Sequence, residues 1–241
     1  MDGLLLIHAF PVDARMWAGQ LRGARTVAPN LPGFGGAEAV AGGVLTMEAA
    51  AERCVSALDD AGLDRAVVCG LSMGGYVAFE LWRRAPDRIA GLVLANTRAG
   101  ADTPEGAAGR RALAERLAAE GNVLVESPPP LLSDEPPPGL WDEVTGWIAD
   151  QPTASIAAAA LGMAERPDST PDLPGIGVPT LVITSDRDAL IPQEVTSPMA
   201  EQIPGARLEV IVGAGHLSNL ERPEEFSRLL GEHVARCGVV L

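Results

Sequence analysis

The sequence predicts an α/β fold on a parallel sheet, from three observations: short apolar runs that do not alternate, helical patterns between them, and turn or capping residues at the junctions. The candidate strands are residues 4–7, 25–28, 66–70, 89–95, 178–184 and 207–212. Each is too short for a helix and lacks the polar-apolar alternation of a half-exposed strand, so each suits a strand buried on both faces.

Taken in order, the run at 4–7 opens the chain and the run at 25–28 follows a turn-rich stretch. After Thr46, the residues Met47, Ala50, Ala51, Cys54, Val55 and Leu58 recur at helical spacing, with Thr46 placed as N-cap and Gly62 as stop. The run at 66–70 leads directly into a second helical pattern from Tyr76 to Arg84, and the run at 89–95 follows. From 98 to 173 no strand pattern occurs. Thr103 and Pro104 open a helix there and Gly121 closes it; SPPPLLSDEPPPG at 127–139 is a stiff connector. Leu140, Trp141, Val144, Trp147 and Ile148 then give a second helix, and 153–164 a third. The strands at 178–184 and 207–212 and a terminal helix opened by Pro223 complete the chain. The expected organisation is therefore a core of residues 1–97 and 174–241, interrupted by a helical cap at 98–173, where ligands of open α/β sheets bind.

At 241 residues the chain is long enough for one well-buried domain, and its 47% hydrophobic content is that of a folded protein. Eighteen basic against 32 acidic residues leave a formal charge of −14, which repels phosphate backbones and anionic lipid, so neither nucleic acid nor a membrane surface is an expected partner. The opening MDGLLLIHAF has no basic leader and breaks at His8, so it reads as a strand and not a signal peptide. No apolar stretch approaches the roughly 20 residues of a membrane span. Cys54, Cys69 and Cys237 are odd in number and lack metal-ligand spacing, which suits free thiols in a reducing, cytoplasmic setting with no metal and no cofactor.

The chemistry centres on Gly70-Leu71-Ser72-Met73-Gly74, where a predicted strand runs straight into a helix. Small residues around a serine permit a tight strand-to-helix turn that exposes its hydroxyl. The same turn puts the Met73 backbone N–H at a helix N-terminus, where an oxyanion is favoured. A serine hydroxyl needs a base at neutral pH. His216 follows the last strand in a loop and is the best candidate; His8 suits a structural hydrogen bond, and His233, within the terminal helix, reads as a solvated surface residue. The base needs a carboxylate, and the turn after the fifth strand offers both Asp186 and Asp188. Either gives the chain order Ser, Asp, His.

With HAFP at 8–11, LPGFGG at 31–36, GLSMGG at 70–75, SDRDALIP at 185–192 and GAGH at 213–216, nearly the whole chain resembles the α/β-hydrolases, within the group of serine esterases, enol-lactonases and cofactor-free haloperoxidases. In that family the acid stands four residues before a proline, so the resemblance selects Asp188 with Pro192. It also implies that the Phe10 backbone N–H joins that of Met73 in the oxyanion hole. Two features differ from the family pattern: His8-Ala9 stands where His-Gly is common, and the antiparallel strands that usually precede HAFP are absent. About six strands, all parallel, are therefore expected, with the strand near Val27 at an edge. A serine where dehalogenases and epoxide hydrolases of this fold carry aspartate argues against both reactions.

The resemblance implies hydrolysis of a small carboxylic ester or lactone through an acyl-enzyme on Ser72, with 3-oxoadipate enol-lactone hydrolysis as a near alternative. A catalytically weak receptor, or a perhydrolase or lyase using the same pocket, would carry the same motif set. The cap is expected to roof an apolar pocket for short or medium uncharged acyl groups. Trp141 and Trp147 would either wall that pocket or anchor the cap to the core.

Overall fold

The computed structural model describes residues 1–20 and 23–241. Its strands are β1 (Asp2–Ile7), β2 (Thr26–Val27), β3 (Arg65–Leu71), β4 (Ile89–Ala95), β5 (Thr180–Ser185) and β6 (Arg207–Ile211). They form one sheet in the order β2-β1-β3-β4-β5-β6, and all five pairings are parallel. In β4 every residue is buried, as is every residue of β3 after Arg65. Since successive side chains of a strand point to opposite faces, both faces of the sheet are covered. Each fully buried Leu, Ile or Val in these strands contributes about 1.5–3 kcal/mol.

The expected strand at 25–28 shrinks to two paired residues, Leu4 with Thr26 and Leu5 with Val27, because Pro29 has no N–H to extend the ladder. It lies at the edge, as expected. The opposite edge, β6, differs from its reading as a doubly buried strand: most of its positions are only partly covered, and it carries Arg207 and Glu209. Charge on an edge strand opposes pairing with another chain.

Helix α1 (Met47–Asp60) starts where expected, with Thr46 accepting from the Ala49 N–H at 3.1 Å. Helix α2 (Met73–Arg84) begins one residue after Ser72. The stretch between β4 and β5 holds α3 (Pro104–Glu120), α4 (Leu140–Ala149) and α5 (Thr153–Ala164), with Thr103 capping α3 through the Gly106 N–H and Gly121 ending it. After β5 come short helical turns α6 (Gln193–Thr196) and α7 (Pro198–Gln202), and after β6 come α8 (Ser218–Glu221) and the terminal α9 (Pro223–Arg236). No helix among the described residues is long and apolar enough to cross a membrane.

His233 overturns its reading as a solvated residue: it is 1% exposed. The reason is legible in α9, where Phe226, Leu229, Leu230, His233 and Val234 are the buried residues, spaced three and four apart. Position 233 lies on the apolar stripe, and the histidine is carried inward with it.

Candidate active site

The site begins at the junction of β3 and α2. Ser72 has φ 56° and ψ −115°, a conformation that costs of order 1–3 kcal/mol and persists only where the surroundings hold it. They do so on both sides. The Ser72 N–H donates to the Ala95 carbonyl at 2.9 Å, and the Thr97 hydroxyl donates to the Ser72 carbonyl at 2.8 Å. Glycine is required at two neighbours because a β-carbon on Gly70 would collide with the Gly74 carbonyl, and one on Gly74 with the Ile7 carbonyl of β1. The turn is thus pressed against the first strand, and the serine side chain remains at the surface of a cavity.

His216 follows β6 and Asp188 follows β5, and their side chains meet: His216 Nδ1 lies 2.8 Å from Asp188 Oδ2. Both are buried. The carboxylate is held at each oxygen. Asn96 Nδ2 donates to Oδ2 at 3.0 Å, and the Leu190 and Ile191 backbone N–H groups each donate to Oδ1 at 2.9 Å. Burial pushes this carboxyl up, but the His216 charge and the hydrogen bonds from His216, Ile191 and Asn96 outweigh it and hold it below its ordinary value. An ionised acceptor at this position fixes the proton of His216 on Nδ1 and leaves Nε2 to act as a base. Asp186 points elsewhere and accepts the Gly213 N–H at 2.6 Å.

Among the described residues no hydrogen bond joins the Ser72 hydroxyl to the His216 ring; the two side chains line the same cavity of about 210 Å³. Phe10 lines it as well. The sheet order explains why these loops converge: from β1 the chain steps to β2 on one side and to β3 on the other, so the carboxyl ends of β1 and β3 flank a crevice. Phe10 leaves β1 there and Ser72 leaves β3. Neither the Phe10 nor the Met73 backbone N–H donates to a protein acceptor among the described residues. His8 has the structural role expected of it: Nδ1 donates to the Ala9 carbonyl at 3.0 Å, so the Leu31 N–H can donate to Nε2 at 3.0 Å. That pair of bonds suits the neutral ring, and burial, opposed by the Ala9 hydrogen bond and the Asp13 charge, pushes its pKa down to about 4.

The helical insertion supplies the far walls of the cavity, including Leu113, Leu124, Leu131 and Met163. Trp141 and Trp147 are not among them. Both are half-buried against the core, and Arg15 lies over the Trp147 ring, so they take the anchoring role. The expectation of a pocket apolar apart from the catalytic groups also needs correction, because Arg98 and Arg110 line it too.

Three groups of residues escaped the sequence reading. Asn96 takes a positive φ of 44° at the end of β4, donates to the Ser185 hydroxyl and to Asp188, and accepts from the Ser218 hydroxyl at 2.7 Å. Glu221, buried, accepts from the Gly215 N–H at 2.7 Å, the Ser133 N–H and the Ser133 hydroxyl, and so ties the Pro-rich connector to the loop bearing His216. The Leu217 N–H donates to the Leu131 carbonyl across the same seam. Asp102 is buried among Arg98, Arg110 and Arg166. The roles of Asn96 and Glu221 show only in pairings distant in sequence, although Asn96 is a polar residue closing an apolar run and Arg98 stands four residues before Asp102.

The chain is 40% identical to a thermophilic esterase from Thermogutta terrifontis, solved with malate bound, over 98% of this chain and 90% of that one, with a TM-score of 0.93. It is 27% identical to the enol-lactonase of Burkholderia xenovorans, with a TM-score of 0.86 and coverage of 98% and 92%. Among curated relatives, the 2-hydroxymuconate semialdehyde hydrolase of Pseudomonas putida is 28% identical over 90% of this chain and 80% of its own length. The profile of the alpha/beta hydrolase family matches residues 4–229, and the chain belongs to that family.

Proposed function

We propose that this hydrolase cleaves a carboxylic ester or lactone of a small molecule through an acyl-enzyme on Ser72. The observation that carries the reading is the buried Asp188–His216 pair opening onto the same cavity as a serine held in a positive-φ turn. In the first step Ser72 Oγ attacks the acyl carbon and its proton passes to His216 Nε2. The carbonyl electrons move to oxygen, and the resulting oxyanion accepts from the Phe10 and Met73 backbone N–H groups. Collapse of this intermediate breaks the acyl bond, and His216 returns its proton to the departing alkoxide. Water, deprotonated by His216, then attacks the acyl-enzyme, and the acid leaves as Ser72 regains its proton. Asp188 stabilises the imidazolium in both halves.

Esterase and lactonase relatives support this reaction class, since both chemistries use the same acyl transfer. A screen of aryl esters and lactones with wild type and Ser72→Ala tests it. The expected result is turnover by wild type, loss of at least about a thousandfold in the variant, and a phosphonate adduct on Ser72 by mass spectrometry. Turnover that survives Ser72→Ala would sink the proposal.

A further inference from the structure

Resting on the reading of Ser72 as nucleophile, we infer that the substrate carries a free carboxylate, which Arg98 and Arg110 bind in the cavity. The chain as a whole has a formal charge of −14, yet among the described residues no Asp or Glu lines this cavity and two arginines do. Such a local reversal of sign attracts an anion that the rest of the surface repels.

The arginines are more than partners for Asp102. That carboxylate is bound by three guanidiniums: Arg98 Nη2 at 2.5 Å, Arg110 Nε at 2.5 Å and Arg166 Nη1 at 2.9 Å. No second carboxylate pairs with any of the three among the described residues. Three positive charges against one negative leave two uncompensated at a partly desolvated place, and they repel one another. Arg166 is occupied, with its side chain buried, donors on the Met163 and Gly100 carbonyls, and its guanidinium 4.0 Å from the Tyr76 ring centroid. Arg98 and Arg110 retain free donors: an arginine has five N–H groups, of which Arg98 gives one to Asp102, and Arg110 one to Asp102 and one to the Met163 sulfur. A second carboxylate, brought by the substrate, would satisfy those donors and relieve the repulsion. Asp102 then has a positioning role, holding the two guanidiniums in place.

The cavity's size narrows the class. At about 210 Å³ it is small for a ligand site, and its other walls, Leu113, Leu124 and Met163, are apolar. A monoester of a short aliphatic diacid, or a small lactone bearing a carboxylate, fits this combination: methylenes against the leucines and charge against the arginines.

The test compares kcat/KM for the monomethyl esters of succinic, glutaric and adipic acids with their neutral dimethyl esters. Wild type is expected to favour at least one monoacid by about tenfold or more, the scale of a charge-assisted pair. That preference should shrink with added salt. In Arg98→Gln or Arg110→Gln the monoacid-to-diester ratio falls toward one, and Arg110→Lys recovers part of it. Because either change leaves Asp102 with fewer partners, the double variant Asp102→Asn/Arg110→Gln, which keeps the net charge of the cluster unchanged, is the second version measured if the single variants fail to fold. A wild-type ratio of one or less, or a ratio unchanged in the folded variants, overturns the inference. Should wild type cleave neither ester, the hydrolase reading is judged separately by the aryl-ester and lactone screen. Calorimetric titration of glutarate then decides the anion site: binding weakened by the arginine variants supports it, and no binding overturns it.

Discussion

Asp186 and Asp188 stand two residues apart after β5, and their hydrogen bonds give them different work. Asp186 closes the turn by accepting the Gly213 N–H, while Asp188 takes the His216 ring, the Asn96 amide and two backbone donors. Asp188→Asn is therefore expected to lower kcat by about 10³–10⁴, since an amide cannot stabilise the imidazolium. Asp186→Asn, which keeps an acceptor for Gly213, should change kcat only a few-fold. Steady-state kinetics on one aryl ester check both, and the reverse order would move the acid to Asp186. Residue chemistry in the sequence left the two open, since both sit in a turn and aspartate is common in turns; the family's spacing to Pro192 pointed to Asp188. Serine and histidine were legible for a different reason: only one serine stands between a strand and a helix among small residues, and only one histidine follows a strand end outside a helix and without the HAFP context of His8. The two arginines of the cavity, Arg98 and Arg110, lie four and eight residues from Asp102, but nothing local shows that this cluster faces the cavity or that Arg166 completes it from 64 residues beyond Asp102.

At the scale of elements, the capped helices were legible and the connector's docking was not. Thr46 and Thr103 cap the helices they precede because their side-chain oxygens satisfy N–H groups that no helical carbonyl can reach. The prolines at 127–139 announce stiffness but not direction, and the direction is set by Glu221. In α4 the buried stripe is Leu140, Val144 and Ile148, and Trp141 and Trp147 flank it, so the spacing could not tell whether the tryptophans faced cavity or core. The Glu221 clamp carries a prediction of its own. Glu221→Ala leaves the Gly215 and Ser133 N–H groups without their acceptor, at a cost of about 1–3 kcal/mol for each buried donor. Because Gly215 adjoins His216, kcat should fall more than KM rises. Ser133→Ala, which removes only the hydroxyl, should have a smaller effect on both melting temperature and kcat. A Glu221→Ala protein with unchanged melting temperature and unchanged kcat would show that the connector is held by its apolar contacts alone.

For the whole molecule, the two histidines outside the site, His8 and His233, couple stability to pH. Each is pushed down to about 4 from an ordinary value of 6.5. For His233 burial is the largest cause and the charges of Arg207 and Arg236 add to it, while the carbonyls of Pro179 and Leu92 pull the other way. Between pH 6.5 and 4 the unfolded chain binds a proton at each ring and the folded chain does not, so stability falls as pH falls through that window. At pH 5 the loss amounts to about 2 kcal/mol per histidine by linkage, a sizeable share of a net stability of about 5–15 kcal/mol. Asp188 contributes with the opposite geometry and a different window: its depressed carboxyl stabilises the fold above the ordinary value of 3.8 and loses that effect only as pH falls further, through its folded value. The histidines therefore act first on acidification. Urea midpoints measured at pH 7.5 and 5 should differ in favour of the higher pH. His233→Leu should reduce that difference by about half, since it removes one of the two titrating rings and the leucine places an apolar group on the same stripe of α9. A difference of the same size in wild type and variant would show that the buried ring of His233 carries no proton-linked cost and that the acid sensitivity lies with His8 or the carboxylates.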